Sequence, residues 1–304
     1  MSEQRTTVRL AVPYAEDIAR ALAGRPLTLR TEPIPSDTEG RRVLIAFRPP
    51  GDEQLSGYDW IHIAGAGADH ICRALRAENA RPILTRTVGK MGRQIAEYVL
   101  SYILADLQRH ALRRTLEADA AWQVAEAEGT FLFETDVAIL GTGGVAAGIA
   151  EVLAPLARRV TGYARTARQL EPFGEVRALG DFERAEVVVN ALPATRSTDG
   201  LVGDRVFDKL DAALFINIGR GLTVDDAALL RALDTGTVRH AVLDVFREEP
   251  LPAGDPYWRH ERVTVTPHVS GITRWEDTAE AFLAHLDDFL AGELRSTVDR
   301  ERGY

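Results

Sequence analysis

The chain is poor in cysteine, and Cys72 is the only one among its 304 residues. A single cysteine cannot form an intrachain disulfide or a thiolate metal cluster, and such usage is typical of a reducing compartment. A metal site would have to use histidine and carboxylate ligands alone. We therefore expect no metal in the function of this chain.

Long apolar segments are also lacking. No segment of the sequence reaches the ~18 apolar residues that a membrane-spanning helix needs. The first residues, MSEQRTTVRLAVPY, do not contain the apolar core of ~7 to 15 residues that marks a secretory signal. These absences predict a soluble, cytoplasmic protein with no membrane partner.

Basic residues are outnumbered by acidic ones. Lysine and arginine total 36 against 45 for aspartate and glutamate, which gives a net charge of −9. This sign disfavours binding to a phosphate backbone, so nucleic acid is not an expected partner. The hydrophobic content of 45% is ordinary for a globular protein, and the length exceeds the ~250 to 300 residues that one core usually serves. We therefore expect two domains.

Apolar periodicity divides the chain into two parts. The first hundred residues carry short apolar runs at 8–12, 43–47 and 60–64, each followed by turn residues, as in a small α/β unit. From Gly92 onward, apolar residues recur at helical spacing, which predicts one long amphipathic helix to about residue 115. A last helix is predicted over 275–291.

Beyond Gly129 the pattern changes to short, fully apolar strands separated by helix-length segments. Such strands are buried on both faces, as in a doubly wound parallel sheet with helices above and below it. They are predicted at 137–140, 160–163, 187–191, 214–218, 241–245 and 263–265. The predicted fold is therefore α/β with two domains, one over 105–276 and a smaller one over 1–104 and 277–304.

A glycine-rich turn follows the first strand of the larger domain. It reads Gly141-Thr142-Gly143-Gly144-Val145-Ala146 and precedes a predicted helix. Glycines at such a turn let the backbone approach a pyrophosphate, whose charge lies against the helix N-terminus. Ala146 stands where many such turns have a third glycine, a replacement that the fingerprint permits. The context favours dinucleotide binding over a purely structural turn.

The end of the second strand indicates which dinucleotide is bound. NAD-binding proteins keep an acidic residue there for the ribose hydroxyls, whereas residues 158–168 contain four arginines and no acid. We interpret Arg165, Thr166 and Arg168 as contacts for the 2′-phosphate of NADPH, with NADH as the alternative cofactor. A solvated arginine-rich loop is the other interpretation.

Three later segments each place a polar side chain just after a predicted strand, where open α/β sheets bind their ligands. They are INIGRG with Arg220, DVFREEP with Glu249, and TPH with His268. An arginine fork can hold a carboxylate through two parallel hydrogen bonds, and a carboxylate beside a histidine stabilises the imidazolium that serves as general acid. Each residue alone has an ordinary structural explanation. Their joint occurrence behind a dinucleotide turn favours hydride transfer to a 2-oxo acid.

These motifs, in this order, resemble the D-2-hydroxyacid dehydrogenase family. The segment Gly65-Ala66-Gly67-Ala68-Asp69 is similar to the family's substrate loop. Within the family the chain is most similar to the glyoxylate/hydroxypyruvate reductase A group, through Met91-Gly92 before a Gln-x-x-Glu-Tyr helix, Ile272-Thr273-Arg274 after the TPHV segment, and the terminal VDRERGY at 298–304. The resemblance implies a Rossmann-like dinucleotide domain and a flavodoxin-like substrate domain.

The resemblance also implies a role for each matching residue. His268 would donate a proton to the carbonyl oxygen, Glu249 would orient His268, and Arg220 would hold the substrate carboxylate together with the backbone N–H groups of Ala66 and Gly67. Further positions are implied on the cofactor side: Leu192, Pro193, Thr198, Ile218, Gly271, and Asp244 near the nicotinamide amide. The implied substrates are small 2-oxo acids, reduced with NADPH.

Some features leave alternatives open. Gln94 replaces the asparagine that is usual before the Ala-Glu pair of the long helix, and Arg48 stands where the family often has tryptophan or histidine. Whether Arg48 or Arg274 contacts the substrate is open, and a dehydrogenase for another 2-oxo acid remains an alternative. A non-enzymatic dinucleotide sensor, as among corepressors of this fold, is the alternative from another class of protein.

The resemblance also implies a homodimer, formed through the long helix and the arm after it. Trp122 in this arm either reaches the active site of the partner or packs as an ordinary side chain.

Overall fold

The computed structural model describes residues 5–51 and 53–300. Residues 301–304 of the terminal segment named above, and the first four residues of the first predicted domain, lie outside the described residues. The chain forms two compact units: one combines the residues up to Lys90 with those from Thr273 onward, and the other spans Met91–Ile272. Elements are numbered in chain order, and each unit is described by itself.

The first unit is built on a five-stranded parallel sheet. Its strands are β1 (Thr6–Ala11), β2 (Leu27–Arg30), β3 (Arg41–Ala46), β4 (Trp60–Ile63) and β5 (Ile83–Arg86). Their order is β2-β1-β3-β4-β5, which is the flavodoxin-like order. Its helices are α1 (Ala15–Ala21), α2 (Asp69–Ala77) and α9 (Trp275–Ala291).

Both faces of this first sheet are covered by helices. One face packs against α1 and α9, where the rings of Trp60 and Phe282 stack with their centroids 4.5 Å apart. The other face packs against α2 through Ile71 and Leu75. The last helix of the chain thus completes the core of the first unit.

The second unit is built on a seven-stranded sheet whose strands are all parallel. The strands are β6 (Asp136–Leu140), β7 (Arg159–Ala164), β8 (Glu175–Ala178), β9 (Val187–Asn190), β10 (Ala213–Asn217), β11 (Val238–Leu243) and β12 (Val263–Val265). The order β12-β11-β10-β9-β6-β7-β8 is the Rossmann order with one added strand. Strands β7 and β8 extend the sheet on one side of β6, and β9 to β12 extend it on the other. The strand order therefore changes sense between β6 and β9, and sheets of this kind bind their ligands at that point.

Helices cover both faces of the second sheet. The helices of this unit are α3 (Met91–Leu107), α4 (His110–Ala118), α5 (Val124–Ala127), α6 (Gly144–Leu153), α7 (Asp204–Phe207) and α8 (Asp226–Thr235). Helices α3 and α6 pack on one face and α7 and α8 on the other, whereas α4 and α5 bury no residue. Two apolar cores, one on each face, account for the continuous apolar strands. The predicted fold class, with a doubly wound parallel sheet and a smaller flavodoxin-like unit, is confirmed. In the described part of the chain, no helix is both long and apolar enough to cross a membrane.

The prediction of one helix from 92 to about 115 is wrong. Helix α3 ends at Leu107, and Arg109 takes a left-handed conformation (φ 50°) before α4 begins. The break coincides with the end of the packing surface, because α3 buries Ile95, Val99 and Ile103 whereas α4 buries no residue. The sequence pattern does not predict the strands β2, β5 and β8, since each is short and all three lie at sheet edges.

The unit boundaries differ from the predicted limits of 1–104, 105–276 and 277–304. All of α3 belongs to the second unit, because it crosses α6 at two glycines. A Cβ added at Gly148 would lie 2.8 Å from the Gly92 backbone. This close crossing fixes α3 on the larger sheet.

Candidate functional site

The glycine-rich turn joins β6 to α6 in a form that only glycine allows at its first position. Gly141 has φ +105°, and a Cβ there would lie 3.0 Å from the carbonyl oxygen of Ala191. Gly143, by contrast, has no neighbour within 4 Å of an added Cβ and is exposed. It precedes the ten-residue helix α6, which begins at Gly144 without a side-chain cap. The first N–H groups of α6 have no partner within the helix, and Gly143 and Gly144 beside them are exposed while Val145 is half-buried. This helix start fits a dinucleotide pyrophosphate.

Arg168 lies beside this turn. Its Nη2 donates a hydrogen bond to Thr142 Oγ1 at 2.9 Å, while Arg165 and Thr166, which follow β7 directly, are exposed. A guanidinium at the turn adds positive charge where the ribose end of a dinucleotide binds. Three residues predicted as 2′-phosphate contacts thus follow the same strand end.

The other two arginines of the 158–168 window lie elsewhere. Arg158 and Arg159 precede or begin β7 and hydrogen-bond to Asp136 at 2.8 and 2.9 Å, at the opposite end of the sheet from the glycine turn. The hydrogen bond from Arg158, followed by the charges of Arg159 and Arg158, holds the pKa of Asp136 below its usual value. Only Arg165 and Arg168 of the four remain as candidates for cofactor contact.

Buried asparagines organise the carboxyl ends of β9 and β10. Asn190 Nδ2 donates to Asn217 Oδ1 at 2.9 Å and to Thr223 Oγ1 at 2.7 Å, and Thr223 Oγ1 donates to the carbonyl oxygen of Arg220 at 2.7 Å. This network fixes the backbone from which the Arg220 side chain projects. The motifs considered above do not include this network, although an asparagine that ends a fully apolar strand, found in both β9 and β10, is a sequence signal for it.

Arg220 follows β10 in extended conformation. Its Nη1 donates to the carbonyl oxygen of Gly219 at 2.8 Å, and its side chain is partly exposed. The next residue must be glycine, because a Cβ at Gly221 would lie 1.9 Å from the carbonyl carbon of Phe246. The same close approach brings the Arg220 segment next to the turn that carries Glu249.

His268 and Glu249 form a pair. His268 Nδ1 lies 2.9 Å from Glu249 Oε2, and Glu249 Oε1 accepts the N–H of Phe246 at 3.1 Å. Because an ionised carboxylate only accepts, Nδ1 is the protonated nitrogen in this hydrogen bond, and Nε2 is the atom that can exchange a proton with a ligand. The histidine side chain is 44% exposed and that of Glu249 is 25% exposed. A histidine and a carboxylate in this arrangement can act chemically as a general acid and the group that orients it.

Asp244, which follows β11, is fully buried. Its carboxylate accepts hydrogen bonds from Thr266 Oγ1 at 2.6 Å and from the N–H groups of Val269 and Ser270, both at 2.9 Å. Its carbonyl oxygen accepts the N–H of His268 at 2.9 Å. Asp244 therefore holds the loop that bears His268, and its contact with a nicotinamide amide stays a prediction.

The remaining residues predicted on the cofactor side lie near the same strand ends. Thr198 Oγ1 donates to the carbonyl oxygen of Pro193 at 2.6 Å, which closes the loop after β9, and Leu192 is buried. Ile218 directly follows β10 and is 6% exposed. Gly271 packs on α3, where an added Cβ would lie 2.9 Å from Ile95. Their contacts with a cofactor stay predictions.

The predicted substrate loop belongs to the first unit. Ala66 and Gly67 lie between β4 and α2, are half-buried, and the carbonyl oxygen of Ala66 accepts a hydrogen bond from Arg86 Nη1 at 2.8 Å. Arg48 and Arg274, in the same unit, are both exposed. Among residues 5–51 and 53–300, no group of three or more histidine, cysteine, aspartate or glutamate side chains is arranged to hold a metal ion.

Comparison with known proteins identifies the family. The family model described as "D-isomer specific 2-hydroxyacid dehydrogenase, NAD binding domain" matches residues 100–270. The chain belongs to the D-isomer specific 2-hydroxyacid dehydrogenase family. The motifs of the glycine turn, Arg220, Glu249 and His268 thus predicted the family correctly, and the domain that carries them is its NAD-binding domain.

Solved structures of the family cover the whole length of the chain. A D-isomer specific 2-hydroxyacid dehydrogenase from Xanthobacter autotrophicus Py2, in complex with NADPH and MES, is 28% identical over all of both chains, with a TM-score of 0.83. An NADPH-dependent glyoxylate/hydroxypyruvate reductase from Sinorhizobium meliloti, in complex with NADP and sulfate, is 26% identical over 99% of this chain and 100% of its own, also with a TM-score of 0.83. A family member from Aeromonas salmonicida is 28% identical over 98% of this chain and 100% of its own, with the same TM-score.

Proposed function

We propose that this chain reduces small 2-oxo acids, such as glyoxylate and hydroxypyruvate, to 2-hydroxy acids with NADPH. The observation that carries the proposal is the 2.9 Å hydrogen bond between His268 Nδ1 and Glu249 Oε2. This general acid lies in the unit whose glycine-rich turn fits a dinucleotide. The similarity to a glyoxylate/hydroxypyruvate reductase supports the substrate class.

The acid–base work falls to His268. A bound reduced nicotinamide supplies the hydride that reduces the carbonyl carbon. His268 donates the proton of Nε2 to the carbonyl oxygen, while Glu249 accepts the hydrogen bond from Nδ1 and compensates the charge of the imidazolium. Phe246 N–H holds the other oxygen of Glu249, so the carboxylate keeps its orientation through the cycle.

Arg220 is proposed to bind the carboxylate of the substrate. Its guanidinium can offer two parallel N–H donors to a carboxylate, and Thr223 and the two buried asparagines fix its backbone. Ala66 and Gly67 are proposed to offer backbone N–H groups to a substrate carboxylate. Within their own unit, Arg86 stabilises that loop through the carbonyl oxygen of Ala66.

NADPH is the proposed cofactor for three reasons. Ala164 provides no carboxylate for the ribose hydroxyls, Arg168 is tied to the glycine turn through Thr142, and two of the similar structures hold NADPH or NADP. The proposed cofactor contacts on this chain are Gly141, Gly143, Gly144, Val145, Arg165, Thr166, Arg168, Leu192, Pro193, Thr198, Ile218, Asp244 and Gly271.

A substrate panel tests the proposed reaction. Oxidation of NADPH is followed at 340 nm with glyoxylate, hydroxypyruvate, pyruvate and a bulkier 2-oxo acid, each over a range of concentrations. We expect the highest kcat/KM for glyoxylate or hydroxypyruvate. A higher value for the bulkier acid would identify a dehydrogenase of another specificity, and turnover of none of them would favour the non-enzymatic sensor.

We also propose that the chain forms a homodimer in the cytoplasm. The segment after α3 exposes apolar side chains: Trp122 is 92%, Phe133 64% and Phe131 50% exposed, and the two phenylalanine rings stack on each other. Such a patch is typical of an interface between subunits. Light scattering at micromolar concentration should give twice the mass of one chain, and a monomer would contradict this assembly.

A further inference from the structure

The loop that carries His268 holds its histidine in an uncommon backbone conformation. His268 has φ +54°, in the left-handed region that residues with side chains rarely adopt. Such a conformation persists only where the surroundings fix it. The flanking residues must therefore be held firmly if Nε2 is to stay in place.

A chain of hydrogen bonds connects this loop to helix α3. Tyr98 Oη lies 2.6 Å from Thr266 Oγ1, which in turn donates to Asp244 Oδ1 at 2.6 Å. The single proton of the Thr266 hydroxyl is committed to the carboxylate, so Tyr98 must be the donor in its bond with Thr266. Burial is the main cause of a raised pKa for Tyr98, and the phenol accordingly keeps its proton at neutral pH.

Helix α3 holds the other end of the same loop through Gln94. Its Oε1 accepts the N–H of Ile272 at 3.0 Å. Tyr98 and Gln94 are four residues apart on one helix, and so they lie on the same face, one turn from each other. One rigid element thus fixes the loop on both sides of His268.

We propose that Tyr98 is a positioning residue for the reaction: its hydroxyl, through Thr266 and Asp244, holds His268 in the conformation from which Nε2 delivers a proton. The inference rests on the proposed function for its kinetic part only. Tyr98 contacts neither His268 nor Glu249 through any described hydrogen bond, and it acts through Asp244, whose carboxylate fixes the N–H groups of Val269 and Ser270.

Removing one oxygen atom tests the proposal. Tyr98→Phe keeps the ring and deletes the donor to Thr266. Tyr58→Phe is the matched control, because Tyr58 is also a largely buried tyrosine whose hydroxyl makes a short hydrogen bond, to Glu53 Oε2 at 2.6 Å, in the other unit. Thr266→Ser keeps a hydroxyl at the middle of the chain of bonds and serves as the conservative replacement.

Two measurements are compared across these variants. The first is hydrogen exchange of the backbone amides of residues 266 and 268–272, which needs no substrate. We expect exchange about fivefold faster or more in Tyr98→Phe, since its loop opens more readily, and unchanged exchange in Tyr58→Phe and Thr266→Ser.

The second measurement is turnover of glyoxylate with NADPH and with its 4-deuterated form. We expect kcat to fall ~10-fold in Tyr98→Phe as the proton donor loses its alignment, with a larger deuterium isotope effect and an unchanged KM for NADPH.

The outcomes separate the two proposals. Unchanged exchange in Tyr98→Phe would overturn the inference, as would faster exchange with an unchanged kcat, or an equal loss of kcat in Tyr58→Phe. A parent protein that reduces no 2-oxo acid would overturn the proposed function and the kinetic role of Tyr98 with it. The exchange comparison would still decide whether Tyr98 holds the loop.

Discussion

Arg220 shows how a single side chain can be supported by a network that the local sequence does not reveal. Its carbonyl oxygen accepts from Thr223, which accepts from Asn190 on a neighbouring strand. Each bond satisfies a polar group that burial would otherwise penalise by roughly 1 to 3 kcal/mol. The arginine backbone is therefore fixed before any substrate arrives.

Substituting Arg220 by lysine tests its assignment as the carboxylate anchor. Lysine retains the charge but replaces a planar fork by a single ammonium group, so that one of two parallel hydrogen bonds is lost. We expect a KM for glyoxylate raised ~10-fold and a lower kcat, with the KM for NADPH unchanged. If kcat/KM for the acid stays the same in steady-state assays, the anchor is another arginine, and Arg48 and Arg274 are the residues to substitute next.

Among the helices and strands, the sequence best predicts those whose burial on both faces requires a continuous run of apolar residues. The strands β6, β9 and β10 are continuous apolar runs because both faces of the sheet are covered, so they could be predicted. Strand β8 reads EVRA and lies at the sheet edge, where polar residues are tolerated and leave no pattern. The break after α3 occurs at Gln108-Arg109, without glycine or proline to indicate it.

The same distinction applies to the site. That Arg220, Glu249 and His268 lie after strand ends could be predicted, because parallel strands end at one edge, whereas their roles stay predictions. The supporting contacts of Tyr98 and Gln94 could not be predicted, because they join segments 168 and 178 residues apart in the sequence. Such partners depend on how helices and strands pack, which one sequence does not specify.

The loop after β7 is the element that we expect to select the cofactor. Arg168→Ala removes a guanidinium at the glycine turn, and charge-assisted bonds to a phosphate are worth roughly 1.5 to 3 kcal/mol. The parent should prefer NADPH over NADH ~10-fold or more in kcat/KM, and Arg168→Ala should lose most of that preference. Arg159→Ala is the matched control, since Arg159 pairs with Asp136 at the other end of the sheet. Equal kcat/KM for NADPH and NADH in the parent would show that Arg165 and Arg168 belong to a solvated loop and do not select the cofactor.

For the whole molecule, the buried histidine of the first unit makes stability depend on pH. His62 is fully buried, its two ring nitrogens face the hydroxyls of Thr85 and Thr87 at 2.7 and 3.0 Å, and Phe282 packs against its ring. Burial, and then the charge of His285, lower the pKa of His62 to about 3. The folded protein therefore keeps this imidazole neutral, whereas the unfolded chain takes up a proton below a pH of ~6.5.

The pKa of His62 is lower in the folded protein than in the unfolded chain. The contribution of neutral His62 to the free energy of unfolding is therefore complete above pH ~6.5 and is lost as the pH falls from there towards 3. The loss approaches about 1.4 kcal/mol per pH unit. Urea unfolding at pH 7.5 and pH 5.5 should show a larger decrease for the parent than for His62→Gln, which cannot titrate. His110→Gln, at an exposed position, should behave like the parent, and equal decreases in all three proteins would contradict the assignment.

The effect of His268→Ala on chemistry and on cofactor binding, measured on the same protein, tests the proposed mechanism most directly. We expect glyoxylate reduction with NADPH to fall ~10²-fold or more in kcat, because the proton donor to the carbonyl oxygen is gone. We also expect an unchanged dissociation constant for NADPH in fluorescence titration, since the glycine turn and Arg168 are untouched. Near-parental turnover in His268→Ala would show that the proton comes from another group and would contradict the proposed mechanism.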